Sequence, residues 1–175
     1  MGWMDDETGL DKTPANFVPL TPLSHLQRAV KVFPTRIAVV YNNHRVNYAE
    51  YHARCSQLAS ALVSVGIKPG SVVATILPNV PAQAEAHFGV PACGAVLNTI
   101  NTRLDVDTVS YIFDHGEAKV VLVDSQFLPL AESACAQMGK KAPLIIEVPD
   151  SSAGFESSGK YRSYEQFLSS GDKNF

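Results

Sequence analysis

Gly154 to Lys160 reads Gly-Phe-Glu-Ser-Ser-Gly-Lys, the glycine-to-lysine spacing of a nucleotide phosphate loop. That chemistry also needs Ser or Thr after the lysine for a magnesium ion, and a helix whose N-terminus faces the phosphates. Here Tyr161 follows, and the next helix signal starts only near Ser163, so a flexible polar surface loop is the expected reading. No Gly-x-Ser-x-Gly elbow offers an acyl-transfer serine, and no His-Glu-x-x-His run offers zinc. His25, His44 and His52 fall on expected helix or hairpin surfaces. His87 lies on an Ala-rich helix, and His115 sits beside a helix C-terminus where its charge suits the dipole. A structural or solvated role is expected of each. Val90 to Arg103 differs. Small residues there allow close backbone packing, and Asn98, Thr99, Asn101, Thr102 and Arg103 follow between apolar segments. Taken alone these residues favour a helix-to-helix connection that satisfies its own backbone.

The elements that must position these groups are legible from caps and periodicity. Thr21 caps a first helix with Pro22 at its first position, Leu23, Leu26, Val30 and Phe33 share its inner face, and Pro34 ends it. Ile37 to Tyr41 and Arg45 to Tyr48 flank Asn42-Asn43-His44 as a hairpin. Asn47 and Glu50 form a capping box. Tyr51, Cys55, Leu58, Leu62 and Val65 then make one apolar stripe, with Gly66 as a left-handed cap. Val72 to Leu77, Lys119 to Asp124 and Leu144 to Val148 read as strands buried on both faces. Helices are expected from about Asn79 to Ala95, from an Asp105 cap to Gly116 with Val109, Ile112 and Phe113 inward, and over Phe127–Met138. A Ser/Gly-rich loop follows over 149–162, and a short helix is capped by Ser163 and Gln166. Alternating strands and helices of these lengths imply an α/β fold: βαβ units in a largely parallel, doubly wound sheet, with an N-terminal helix and hairpin.

Composition sets the class. The 175 residues are 46% hydrophobic and 18% charged, which fits a globular chain of one ordinary domain and excludes disordered or collagenous sequence. The net charge is −3 and the 14 basic residues are scattered, so nucleic acid is not an expected partner. Cys55, Cys93 and Cys135 stand far apart in apolar surroundings, as reduced, buried thiols do. The opening residues hold four acids before the first lysine, so no leader peptide is expected, and no run of about 18 apolar residues occurs. Cytoplasm is the default compartment.

Several segments together resemble a known family. Val46-Asn47-Tyr48-Ala49-Glu50-Tyr51 is similar to the first core motif of the adenylate-forming (AMP-binding) acyl-CoA synthetases, usually Leu-Thr-Tyr-x-Glu-Leu. Phe88 to Leu97 resembles the second. Asn98 to Asp105 is close to the fatty acyl-CoA ligase branch, which includes medium-chain and plant-type acyl-activating enzymes. With Leu77-Pro78-Asn79 and Lys119 to Asp124, the resemblance runs from about Phe17 to Val148, about three quarters of the chain.

This resemblance implies the N-terminal portion of the adenylate-forming fold: a lead-in over 1–20, then the start of the large adenylation domain over 21–175. The complete enzyme joins a carboxylic, expectedly fatty, acid to ATP with Mg2+, giving acyl-AMP and pyrophosphate, and CoA then releases acyl-CoA and AMP. The family's phosphate loop, its aromatic-Thr-Glu motif, its ribose-binding Asp and its late lysine lie downstream of these residues. The chain alone is therefore expected to hold no catalytic or metal residue and to be inactive. Asn101, Thr102 and Arg103 are the candidates for the acyl or CoA side of the complete site. Self-association or a complementing downstream chain is an expected partner, and a C-terminal peroxisomal address on the complete protein stays open. The competing expectations are a stand-alone, non-catalytic α/β interaction module and, more remotely, a small independent nucleotide-binding domain.

Overall fold

The computed structural model of the chain describes Thr13, Ala15 and residues 17–175; most of the expected 1–20 lead-in lies outside the described residues. Helix α1 (Pro22–Val32) begins at Thr21, whose side chain and that of Ser24 cap each other's backbone. It leads into a hairpin of β1 (Ile37–Tyr41) and β2 (His44–Asn47). The turn is Asn42-Asn43, with Asn42 at φ 49, so His44 belongs to the strand and not to the turn. Helix α2 (Tyr48–Ser64) starts at Asn47 with the expected reciprocal bonds to Glu50.

Five strands then form one parallel sheet. These are β3 (Val72–Ile76), β4 (Val96–Thr99), β5 (Ala118–Asp124), β6 (Leu144–Val148) and β7 (Arg162–Ser163), in the spatial order β4-β3-β5-β6-β7. Helices α3 (Pro81–Ala92), α4 (Val106–His115), α5 (Leu128–Met138) and α6 (Tyr164–Leu168) connect or follow them. Period-2 alternation feeds two cores. Val73, Leu122 and Ile146 pack with Leu58, Leu62 and Phe167 on the α2/α3/α6 side. Ala74, Ile76, Val121 and Val123 pack with Phe113 and Ala131 on the α4/α5 side. Helices on both faces of a parallel sheet explain why its central strands carry unbroken apolar runs.

Several expectations need correction. The stretch after α3 is not a helix-to-helix connection: α3 stops at Ala92, and β4 pairs with β3 along the sheet edge. Gly94, at φ 76 and with Pro69 only 3.2 Å from where its Cβ would stand, makes the turn between them. Val65 lies past the packed part of α2 and is 37% exposed, and Phe33, expected on the inner face of α1, is its exposed C-cap residue. Gly116 does end α4 as expected, with φ −81, and the left-handed residue is the Glu117 that follows it. Gly116 also permits close approach, since a Cβ there would meet Ile112 O at 2.9 Å and Asn98 Nδ2 at 3.3 Å. Cys55 and Cys93 are buried thiols, but Cys135 is only half-buried. The 149–162 loop is not a free polar loop: it includes a short helical turn at Ser151–Ala153 and an Asp150–Phe155 bridge, and it runs into β7.

Candidate functional site

Parallel strands present their following loops along one edge, and doubly wound sheets bind ligands beyond the strands' carboxyl ends, near the point where strand order reverses. Here β4 and β5 leave β3 on opposite sides, which makes the β3/β5 junction that point. The residues following the strands are Leu77-Pro78-Asn79 after β3, Ile100 to Arg103 after β4, Ser125 after β5 and Pro149-Asp150 after β6. The sheet thus brings the Asn101-Thr102-Arg103 candidates to the ligand-binding edge.

Their local geometry is that of a presented loop. Asn101 Oδ1 accepts from the Arg103 backbone N at 2.9 Å, a side-chain-closed turn. Asn101 and Arg103 are exposed and Thr102 is half-buried. The Arg103 side chain makes no ion pair among the described residues. Asp105 then caps α4 through Thr108, and those bonds hold its carboxyl below the usual range.

Beside this edge lies a cavity of about 490 Å³ between the hairpin, α2, the start of α3 and the β6–α6 connection. On its rim Tyr41 OH donates to Asp150, and Asn42 Nδ2 donates to Ser152 Oγ at 2.8 Å, so the hairpin is tied to the β6 loop. Burial pushes Asp150 up, but its bonds from Ser152 and Tyr41 outweigh that and leave it lowered. The inner wall is an ionic network. Glu85, 1% exposed, accepts from Arg54 Nε at 2.5 Å and from Tyr164 OH at 2.7 Å. Arg54 also grips Glu165 with two bonds of 3.0 and 2.6 Å. Burial raises the Glu85 carboxyl above its ordinary range, opposed by Arg54 and Tyr164. Both Glu85 oxygens are engaged, so the network locks α2, α3 and α6 together.

The Gly154–Lys160 segment turns its serines onto the protein's own carboxylate. Ser157 Oγ, Ser158 N and Ser158 Oγ all donate to the Glu147 carboxylate, and Ser125 Oγ donates to it from the β5 side. An anion of the protein's own already occupies the donors that a phosphate would need. The turn after β3, Pro78-Asn79-Val80-Pro81, has no glycine, and α3 begins without a side-chain cap. Among the described residues no three His, Cys, Asp or Glu side chains group as a metal site. The described residues therefore do not fit an ATP–Mg2+ centre by themselves. His25, His44, His87 and His115 are exposed, and His52 is half-buried. His87 Nδ1 contacts Gln83 O, and His115 stacks on Tyr111 at 5.4 Å.

Sequence reasoning did not single out Tyr41, Arg54, Glu85, Glu147 or Asp150. The available signal was a charge inside an apolar element: Glu147 interrupts a buried strand, and a buried charge must be paired.

Solved structures share this architecture. An anthranilate CoA ligase bound to anthranoyl-AMP superposes with a TM-score of 0.79 at 21% identity, covering 87% of this chain and 28% of that one. A benzoate CoA ligase from Burkholderia xenovorans gives 0.74 at 19% identity, covering 86% and 28%. Among curated relatives, a peroxisomal acetate/butyrate–CoA ligase of Arabidopsis thaliana is 44% identical over 99% of this chain and 32% of its own length. An acetate–CoA ligase of Humulus lupulus is 42% identical over 97% and 32%. The chain thus spans about a third of the length of these relatives. The AMP-binding enzyme model matches residues 26–168. With that match over most of its length and a shared parallel sheet, the chain belongs to the AMP-binding enzyme family, alongside the acyl-CoA ligases.

Proposed function

We propose that the chain is the N-terminal part of an AMP-forming acid–CoA ligase, with residues 21–175 opening its large adenylation domain. In that reaction a carboxylate oxygen attacks the α-phosphorus of ATP and pyrophosphate leaves; the CoA thiolate then attacks the acyl carbon and AMP leaves. The observation that carries this reading is the 44% identity to an acetate/butyrate–CoA ligase along nearly the whole chain. The substrates for which the relatives are named, acetate and butyrate among them, favour a small or fatty carboxylic acid. ATP, Mg2+ and CoA are assigned to the complete protein, because the donors of Gly154–Lys160 are spent on Glu147.

In this reading the residues present supply a framework and one edge loop, Asn101-Thr102-Arg103, on the acyl or CoA side. Transfer of an adenylyl group is stabilised mainly by placed cations and donors around the phosphates. The chain alone is therefore inactive, and its exposed β4 edge is where further strands or a complementing chain would pair. No helix of the described residues is long and apolar enough to cross a membrane. Residence is cytoplasmic or, as the names of three relatives suggest, peroxisomal; a fluorescent fusion of the complete protein separates the two.

The test is acid-dependent exchange of labelled pyrophosphate into ATP with short to long acids. It compares the 175-residue chain with a version extended to the relatives' length. Silence from the first and exchange by the second is expected. Exchange by the short chain overturns the assignment of catalysis to further sequence, and silence from a folded extended protein overturns the ligase reading in favour of a non-catalytic module.

A further inference from the structure

The cations that look scattered along the whole chain are not balanced locally. Residues 17–49 contain Arg28, Lys31, Arg36 and Arg45 and not one Asp or Glu, whereas residues 50–175 carry more acids than bases. All four cations are exposed, and none is in an ion pair among the described residues. Three of them stand beside an exposed apolar side chain. Arg28 lies one turn before Val32 on α1, a spacing that makes them neighbours on the helix surface. The Arg36 guanidinium is 4.9 Å from the centre of the Phe33 ring. Arg45 is the direct cross-strand partner of Val40, which places both side chains on one face of the hairpin. Val32, Phe33 and Val40 are 49%, 42% and 61% exposed.

We infer that this α1–hairpin surface docks on an anionic lipid bilayer. Paired apolar and long cationic side chains suit the headgroup boundary: the apolar part enters it while the charge stays with the lipid phosphates. Residues 17–49 themselves add no acid to repel an anionic surface; the acids bonded to this region are Glu50 at the Asn47 cap and Asp150 at the Tyr41 hydroxyl. An acidic polypeptide fits less well, because the cationic forks are partly committed. Arg45 Nη1 donates to the Asn42 and His44 carbonyls, and Arg36 lies over a ring. Those contacts compromise a bidentate grip on a single carboxylate but leave the net charge free to act on a charged surface. The inference stands independently of the ligase reading.

Co-sedimentation of the 175-residue chain with phosphatidylserine/phosphatidylcholine vesicles, against pure phosphatidylcholine, tests it. Binding to the anionic vesicles alone is expected, falling roughly fivefold for each cation removed and largely lost in about 1 M salt. The variant Arg28→Glu/Lys31→Glu, checked for folding by circular dichroism, should lose binding, while Lys68→Glu/Lys140→Glu should keep it. No binding by the folded chain, equal binding to neutral vesicles, or equal loss in the two variants overturns the inference. Capture by polyglutamate without vesicle binding overturns it in favour of an acidic polypeptide.

Discussion

The backbone N and the Oγ of Ser158 both donate to the Glu147 carboxylate, at 2.7 and 2.9 Å. Together with Ser125 and Ser157 they give a fully buried acid its counterpart in hydrogen bonds without a cation. The acid sits at the end of β6, so this one side chain fixes the loops that leave both β5 and β6.

Glu147→Ala should therefore release the 155–161 segment while leaving the sheet folded. Lost charge-assisted bonds of this kind cost about 1–3 kcal/mol. Hydrogen exchange at the Ser158 amide should accelerate sharply, with urea unfolding reporting the stability loss. A Ser158 amide as protected as in the parent chain would refute the clamp.

The same site sets a pH dependence. Burial works to raise the Glu147 pKa, but the bonds from Ser158, Ser125 and Ser157 outweigh it and hold it below its ordinary value. A depressed carboxyl contributes stability in full above its unfolded pKa, about 4.3, and loses it as pH falls through the folded value. The parent chain should thus lose more stability between about pH 5 and 3 than Glu147→Gln does. Parallel acid titrations of unfolding free energy for the two would show otherwise if the carboxylate were solvated.

Legibility followed local rules. Thr21, Asn47, Asp105 and Ser163 cap helices as their spacing says, because caps are satisfied within four residues. The apolar runs of β3, β5 and β6 mark strands buried on two faces. Strand β4 escaped because it is short and at an edge: Val96 is half-exposed, and Asn98 and Thr99 break the apolar run. The 149–162 loop looked free because its anchor, Glu147, lies outside it. Of the candidate site residues, Asn101 to Arg103 were reachable from a motif, whereas the Arg54–Glu85–Tyr164 network joins residues up to 110 positions apart and exists only once the helices pack.

Helices α2 and α3 touch through Gly89, where a Cβ would meet Leu58 Cδ2 at 2.8 Å and Cys55 O at 2.9 Å. Leu58 is 0% exposed, so Leu58→Ala should cost about 2–5 kcal/mol. Gly89→Ala should cost about 1–3 kcal/mol by overpacking. The double variant should cost less than the sum, since losing Leu58 Cδ2 relieves part of the clash; the Cys55 carbonyl and the Leu58 Cβ that alanine keeps, both at 2.9 Å, leave the relief incomplete. Strict additivity in denaturant unfolding would mean that the two residues do not share this contact.

Thr75 offers a gain. It is 1% exposed, in the middle of the sheet, and its Oγ1 is buried without a hydrogen-bond partner among the described residues. Thr75→Val keeps the shape and removes the desolvated hydroxyl, so about 1–2 kcal/mol of stabilisation is expected. A lower midpoint in urea would show that the hydroxyl is satisfied after all.

Arg103 separates folding from chemistry. Its side chain is exposed and unpaired among the described residues, so Arg103→Ala should leave the melting temperature of the 175-residue chain within the small range of ordinary surface substitutions. Asn101→Ala differs, because Asn101 Oδ1 holds the Arg103 backbone N and so shapes the turn itself. In a protein extended to the relatives' length, the proposed role on the acyl or CoA side requires both to act on catalysis. Loss of about tenfold in kcat/KM, equivalent to ~1.4 kcal/mol of transition-state stabilisation, is expected for Arg103→Ala. Varying acid and CoA separately shows which substrate the loop serves, with KM rising for that substrate and not for ATP. Unchanged kinetics for both substrates in Arg103→Ala would remove the loop from the site and leave it as a connection between β4 and α4.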